Sequence, residues 1–440
     1  MNGEYQVIGR SHIRVDAREK VTGRAVYADD LTMPRMVYAG SVHTTHPHAE
    51  VTVDPSAARA VPGVVCVLTA GDFPNPQSHS DFFYCTDTPK FIGDVVAVVA
   101  AENRESLEQG IRAVNVTYRD LPGVYTIEEA LKEDAPIIRE KGVGLTDGLP
   151  DPSKPGNVFR ESHKPLRKGD MDAGFAEADV ICEQTFETPF VEHAYLEPES
   201  VLVYTEAETG TVVVRSCSQQ GHAPREFVAD ALGLPMNRVR AVQCAVGGSF
   251  GGKFELVGIL SGRAAVVSRK TGRPCKMTLS REDSILESAK RHPFRTTIRV
   301  GAKRDGTITA YQARQVENCG AYNSQAPWMN IRAMGLGYGL SEQITFDEQG
   351  IPAPLVLKKY GVLRSTQMPQ KLSIGFIADK GGEPGGPYGA KALGECPVVP
   401  AAPAVVNAIC NALDVEIDSI PALPERVLRA LREKEMEQYG

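Results

Sequence analysis

The stretch Val239-Arg240-Ala241-Val242-Gln243-Cys244-Ala245-Val246-Gly247-Gly248-Ser249-Phe250-Gly251-Gly252-Lys253-Phe254-Glu255 decides how this chain folds. Val239 to Val246 is short and rich in Val, which predicts a strand. A glycine-dense loop follows, Gly247 to Lys253, and then a helix from Glu255 to about Arg269. Lys270-Thr271-Gly272 closes that helix with a cation and a glycine stop. Strand, glycine loop, helix is the layout of an anion-binding loop. Glycines let backbone N–H groups approach oxygens closely, and a helix N-terminus adds partial positive charge.

Three readings of the loop stand side by side. It meets the Gly-x-x-x-x-Gly-Lys spacing of a nucleotide-binding loop from Gly247 to Lys253, but Phe254 stands where Ser or Thr would hold magnesium. It can be a structural glycine turn. It can cradle a bulky anionic cofactor, and a second glycine loop favours this last reading. Gly385-Gly386-Pro387-Tyr388-Gly389-Ala390-Lys391-Ala392-Leu393-Gly394-Glu395 delivers one carboxylate just before an apolar helix predicted over Val398–Leu413. A carboxylate at a helix start can be no more than a dipole partner. So many glycines, however, cost entropy to order, and chains accept that cost where backbone approaches a ligand.

Outward from these loops the chain reads as α+β. Strands are predicted at Met36–His43, Ile92–Ala100, Val114–Tyr118, Thr211–Arg215, Pro274–Leu279 and Thr296–Val300, the last followed by an Arg304-Asp305-Gly306 turn. Helices are predicted over Asn103–Asn115, over Ala223–Leu232 with Gly233 as its stop, and over Pro424–Gln438. Between Gly142 and Asn157 the composition shifts to Gly, Pro, Asp and Ser, which marks a domain boundary. The expected division is 1–145, 156–325 and 326–440.

Composition excludes several classes. The 440 residues carry a net charge of −7 with both signs interspersed and no basic block, which argues against nucleic acid. The N-terminus lacks a cationic start with an apolar run, and no apolar segment approaches the length of a membrane span, so a soluble cytoplasmic protein is expected. Nine cysteines include no CxxC pair, which leaves neither a zinc knuckle nor an iron–sulfur cluster. His43, His46 and His48 read as a surface turn, His222 and His292 as structural, and His193 within His193-Ala194-Tyr195-Leu196-Glu197-Pro198 is the histidine of most interest. No GxSxG elbow or HExxH helix is present.

Taken in order, the motifs resemble the molybdenum-binding large subunit of the xanthine dehydrogenase / aldehyde oxidase family. They are Val15 to Asp30, Phe91 to Ala97, His193 to Pro198, Ser218-Gln219-Gln220, Gly247 to Lys253, Ser280 to Asp283 with Arg291 to Phe294, and Gly386 to Glu395. The resemblance implies an N-terminal hammerhead-like α/β domain followed by a shortened molybdopterin-binding α+β domain. It implies hydroxylation of a purine-like N-heterocycle or an aldehyde with oxygen drawn from water. The cofactor would be molybdopterin with molybdenum, in the cytosine dinucleotide form, and the protein would supply no metal ligand. Glu395 would deprotonate a molybdenum-bound hydroxyl. Gln219 would hydrogen-bond an oxo ligand. Gly248, Ser249, Phe250 and Gly251, with Gly389, Ala390, Lys391 and Gly394, would line the cofactor. Iron–sulfur clusters and FAD would reside on partner subunits, in a dimer of heterotrimers.

Two departures bear on function. The family's large subunit is much longer, and this chain passes from Tyr322 to a C-terminal-like segment near Met334–Glu342, as if a middle block were missing at about 324–333. Phe254 stands where purine-oxidising members often carry a glutamate. The competing expectations are a non-catalytic, shortened remnant that serves only as a subunit-interaction module, and a nucleotide-binding protein.

Overall fold

A computed structural model describes residues 13–78, 82–138, 157–159, 169–187, 193, 195–290, 292–322, 345–346, 352–353, 372–377, 398–415, 417 and 422–439. Two sheets organise it. The larger has seven strands in the order Val239–Gln243, Val212–Ser216, Ser200–Thr205, Cys275–Thr278, Val37–His43, Val95–Ala101 and Val64–Leu68. Its central joint is parallel: Val37 lies opposite Cys275 and Ala39 opposite Met277. Strands from either side of the expected 142–157 boundary therefore share one sheet.

Val95–Ala101 is buried at every position, which demands a layer on each face. Val95, Val98 and Ala100 join the main core, while Val96, Ala97 and Val99 pack with Leu107 and Ile111 of the helix Arg104–Ala113. On the main-core face lie two helices packed on each other, Ala223–Leu232 and Glu255–Thr271. Both end as the sequence predicts, with Gly233 and Gly272 in the left-handed conformation that an L side chain resists.

The smaller sheet has five strands, in the order Val158–Phe159, Leu372–Ile377, Ile308–Asn318, Phe294–Ala302 and Val180–Glu187. The Arg304-Asp305-Gly306 turn closes the hairpin of its two longest strands. Leu372–Ile377 adds a parallel strand to Ile308–Asn318, and the helix Val398–Leu413 packs on Val180–Glu187 and Phe294–Ala302. The C-terminal part is thus docked on strands that precede the expected junction. The junction itself, 324–333, lies outside the described residues.

Two expectations change. The strand expected from Ile92 begins at Val95, because Phe91–Asp94 is a turn with Gly93 at φ 104°. The three N-terminal histidines do not share a surface site. His43 turns inward to Glu287 at 2.8 Å, His46 pairs with Asp120 at 2.6 Å, and buried His48 bonds the Pro122 carbonyl at 2.6 Å. Among the described residues no helix is long and apolar enough to cross a membrane.

Candidate functional site

The strand Val239–Gln243 ends three residues earlier than its sequence suggests. Cys244 donates its N–H to Ser216 and Ala245 donates to Val26, so the backbone leaves the edge of the sheet before the glycines begin. The Val15–Asp30 motif lies against this exit. Tyr27 bridges Ala245, and the Lys20 ammonium donates to the Val246 carbonyl at 3.3 Å.

The loop then makes a turn that needs left-handed backbone at Gly248, Phe250 and Gly251, with φ of 97°, 53° and 100°. Glycine adopts such angles freely. Phe250 does not, and the residue is 74% exposed. An aromatic residue held in this conformation on the surface is a strained feature of the kind that collects at functional sites. Among the described residues the N–H groups of Gly248, Ser249 and Phe250 take no acceptor.

Gln219 stands beside this turn. Its side-chain carbonyl accepts from the Gly251 N–H at 3.0 Å and from the Ser249 hydroxyl. Its own backbone N–H donates to the Lys253 carbonyl at 2.8 Å, and the Ser218 hydroxyl donates to the same carbonyl at 3.2 Å. With the amide oxygen occupied by two donors, the amide NH2 is the end left to face outward. The structure thus brings together Gln219, Gly248, Ser249, Phe250 and Gly251. Glu395, Gly389, Ala390, Lys391 and Gly394 lie outside the described residues.

Lys253 decides against the nucleotide-loop reading. Its side chain is fully buried and its ammonium pairs with Glu197 at 2.7 Å, beneath the loop. A phosphate above the loop would find no lysine there. Glu255 is also buried, and it lines a small cavity with Phe91, Asp94 and Arg263.

Beneath the loop is a group that pattern reading picked out without giving it a task. A Cβ placed on Gly252 would meet Tyr195 at 2.7 Å and His193 at 2.9 Å, and one on Gly247 would meet Glu197 Cβ at 2.7 Å. Arg281, which opens the helix Arg281–Glu287, donates to the Tyr195 and Leu196 carbonyls. Glu199 is fully buried and accepts from the Tyr195 hydroxyl; burial raises its carboxyl above the usual range despite that bond. The nearby Cys217 thiol is pushed by burial to about 12, so it stays neutral.

These residues fit a bulky anionic group that accepts hydrogen bonds. The loop offers free backbone donors and a fixed amide NH2, and no side chain projects from Gly248 or Gly251 to fill the space. Among the described residues no cluster of His, Cys, Asp and Glu could hold a bare metal ion.

Comparison with known proteins agrees. Residues 22–122 match the family model "Aldehyde oxidase and xanthine dehydrogenase, a/b hammerhead domain", and residues 151–340 match "Molybdopterin cofactor-binding domain". The nicotinate dehydrogenase large molybdopterin subunit of Eubacterium barkeri is 35% identical over 339 residues, which are 76% of this chain and 75% of that one. A probable xanthine dehydrogenase subunit of Bacillus subtilis is 32% identical over 72% of this chain, but only 41% of the relative is covered. Among solved structures, quinoline 2-oxidoreductase from Pseudomonas putida 86 superposes with a TM-score of 0.74 at 20% identity, covering 97% of this chain and 50% of that one. The aldehyde oxidoreductase from Desulfovibrio desulfuricans gives 0.74 at 22% identity, over 98% of this chain and 47% of that one. The chain therefore spans about half the length of these solved relatives, and a similar length to the Eubacterium subunit.

Proposed function

Because the chain belongs to the xanthine dehydrogenase / aldehyde oxidase family of molybdopterin-dependent oxidoreductases, we propose that it is a molybdenum hydroxylase subunit acting on an N-heterocycle or an aldehyde. The observation that carries this reading is the pairing of Gln219 with the Ser249–Gly251 turn, which presents a fixed NH2 donor beside open backbone N–H groups.

When bound, the cofactor would supply a two-electron acceptor and a Lewis-acidic centre that activates water. The chain's own residues do the rest. The Gln219 NH2 donates a hydrogen bond to the bound group. The N–H groups of Gly248, Ser249 and Phe250 line it with donors fixed before it arrives, which is where hydrogen bonds contribute most to catalysis. Glu395 takes the proton from the attacking oxygen. Phe254, half-buried at the start of the helix Glu255–Thr271, puts an aromatic ring where a carboxylate would select purines. That replacement favours a less polar substrate than xanthine.

Electrons leave through partner subunits that carry iron–sulfur clusters and FAD, since the chain has no CxxC pair and the relatives at 35% and 32% identity are themselves named as subunits. A reducing, cytoplasmic setting is supported by the eight described cysteines, all free thiols. The cytosine dinucleotide form of the cofactor and a dimer of heterotrimers are part of the same reading.

The limited coverage of most relatives favours one alternative, a shortened chain that docks partners without holding the cofactor. Molybdenum and pterin content of the chain, purified with its partner subunits, separates the two. Near one molybdenum per chain, with releasable cytosine nucleotide, supports the enzyme. A folded chain without molybdenum, from a host that loads a full-length relative, supports the alternative. Glu395→Gln should abolish turnover and leave molybdenum content unchanged.

A further inference from the structure

We propose that Glu197 is a positioning residue that clamps both ends of the glycine loop from beneath, so that Gly251 and Gln219 reach the cofactor in fixed geometry. The proposal rests on the cofactor-binding reading above. A single carboxylate oxygen, Oε2 of Glu197, accepts the Gly247 N–H at 2.7 Å and the Lys253 ammonium at 2.7 Å. These are the first and last residues of the loop. One atom closes the ring.

The clamp continues to the working face. The Lys253 carbonyl accepts from the Gln219 N–H and the Ser218 hydroxyl, and the Gln219 side chain returns to Ser249 and Gly251. Ser249 Oγ in turn accepts the Lys253 N–H at 3.3 Å. Displacement of Lys253 would therefore disturb Gln219 twice, through its backbone N–H and through the Ser249 hydroxyl that donates to its side chain. The loop also has nowhere to sink, since Tyr195 and His193 lie directly under Gly252.

Charge makes Glu197 the member that cannot be exchanged. Lys253 is fully buried, and a buried ammonium needs a paired carboxylate. Glu199 is the other carboxylate nearby, but burial favours its neutral form and the Tyr195 hydroxyl already occupies it. A loop this rich in glycine would otherwise sample many conformations, and catalytic donors are effective only when fixed in advance.

The test uses the full chain co-expressed with its partner subunits, as Glu197→Gln, Lys253→Met and the double variant. Glutamine keeps an acceptor for Gly247 but cannot balance the ammonium. We expect Glu197→Gln to lower molybdenum per chain about fivefold, and kcat of the loaded fraction about tenfold or more at unchanged KM. The double variant should recover the melting temperature to within about 2 °C and leave molybdenum content low. Recovery of both in the double variant would make Glu197 a mere counter-ion and overturn the proposal. So would wild-type loading and turnover in Glu197→Gln.

Hydrogen exchange on the unsubstituted chain decides the matter even if no variant folds. The Gly247 amide should exchange about 100-fold more slowly than those of Gly248 and Ser249, and equal rates would exclude the clamp. An unsubstituted chain that holds no molybdenum would defeat the functional reading, while the exchange rates would still judge the clamp.

Discussion

The side-chain carbonyl of Gln219 lies 3.0 Å from the backbone nitrogen of Gly251 and accepts its hydrogen bond. Two residues 32 positions apart in sequence are thereby fixed as one unit, and the direction of the Gln219 NH2 follows from it. Gln219→Glu keeps the acceptor and removes the outward donor. It should lower kcat by roughly 10- to 1,000-fold, with molybdenum content within twofold of wild type. Gln219→Ala removes the anchor as well, and metal analysis should show lost molybdenum.

Phe250 tests the strain in the turn. Its φ of 53° is one a β-carbon disfavours, so Phe250→Gly should stabilise the loop backbone by about 1 kcal/mol, less what glycine loses by its freedom when unfolded. The denaturation midpoint should stay level or rise slightly, whereas Phe250→Ala, which keeps the β-carbon, should give no such relief. Molybdenum loading should fall in both if the exposed ring covers the cofactor.

Gly262 lies in the buried helix Glu255–Thr271, where alanine would ordinarily be the better helix former by about 1 kcal/mol. Here a Cβ would collide with the Tyr84 ring. That ring cannot swing aside, because its hydroxyl donates to the Phe227 carbonyl at 2.8 Å and its backbone carbonyl accepts from Arg263 at 2.6 Å. Gly262→Ala should therefore destabilise by roughly 1–3 kcal/mol in urea titration, against its propensity.

Asp94 gives the chain a pH signature. It is wholly buried, and burial raises its carboxyl to about 6 despite bonds from the Tyr322 hydroxyl and the Lys90 and Val95 N–H groups. The folded state therefore holds a proton that the unfolded chain releases near its ordinary carboxylate pKa. This contribution to stability is complete at acid pH below that value and is lost as pH rises through about 6. The loss amounts to about 2–3 kcal/mol. Between pH 5 and pH 7.5, where about one unit of that interval is crossed, the stability of Asp94→Asn should vary less with pH than that of wild type by about 1.4 kcal/mol.

Where the signals are local, the sequence reading and the structure coincide. The helices Ala223–Leu232 and Glu255–Thr271 carry their own stops in Gly233 and Gly272, and the hairpin at Asp305-Gly306 carries its own turn. The parallel pairing of Val37–His43 with Cys275–Thr278 has no such mark, because the register of distant strands is set by packing. The same limit hid the site's underside. Gln219, Glu197 and Gly247–Lys253 all stand out through family motifs, but the task of Glu197 is visible only where it meets Lys253, 56 positions later. The Gly-x-x-x-x-Gly-Lys spacing left open a lysine that meets a phosphate, and the burial of Lys253 against Glu197 answers that question only in the fold.

The parallel joint between Val37–His43 and Cys275–Thr278 also sets a timetable for synthesis. The early strand leaves the ribosome long before its neighbour exists. At about 5–20 residues per second it waits tens of seconds with one edge unsatisfied. A bare strand edge is a template for pairing with other chains. Overproduction should therefore fail by aggregation of nascent chains, and a lower expression level or added holdase should improve recovery more than any mutation at the cofactor loop.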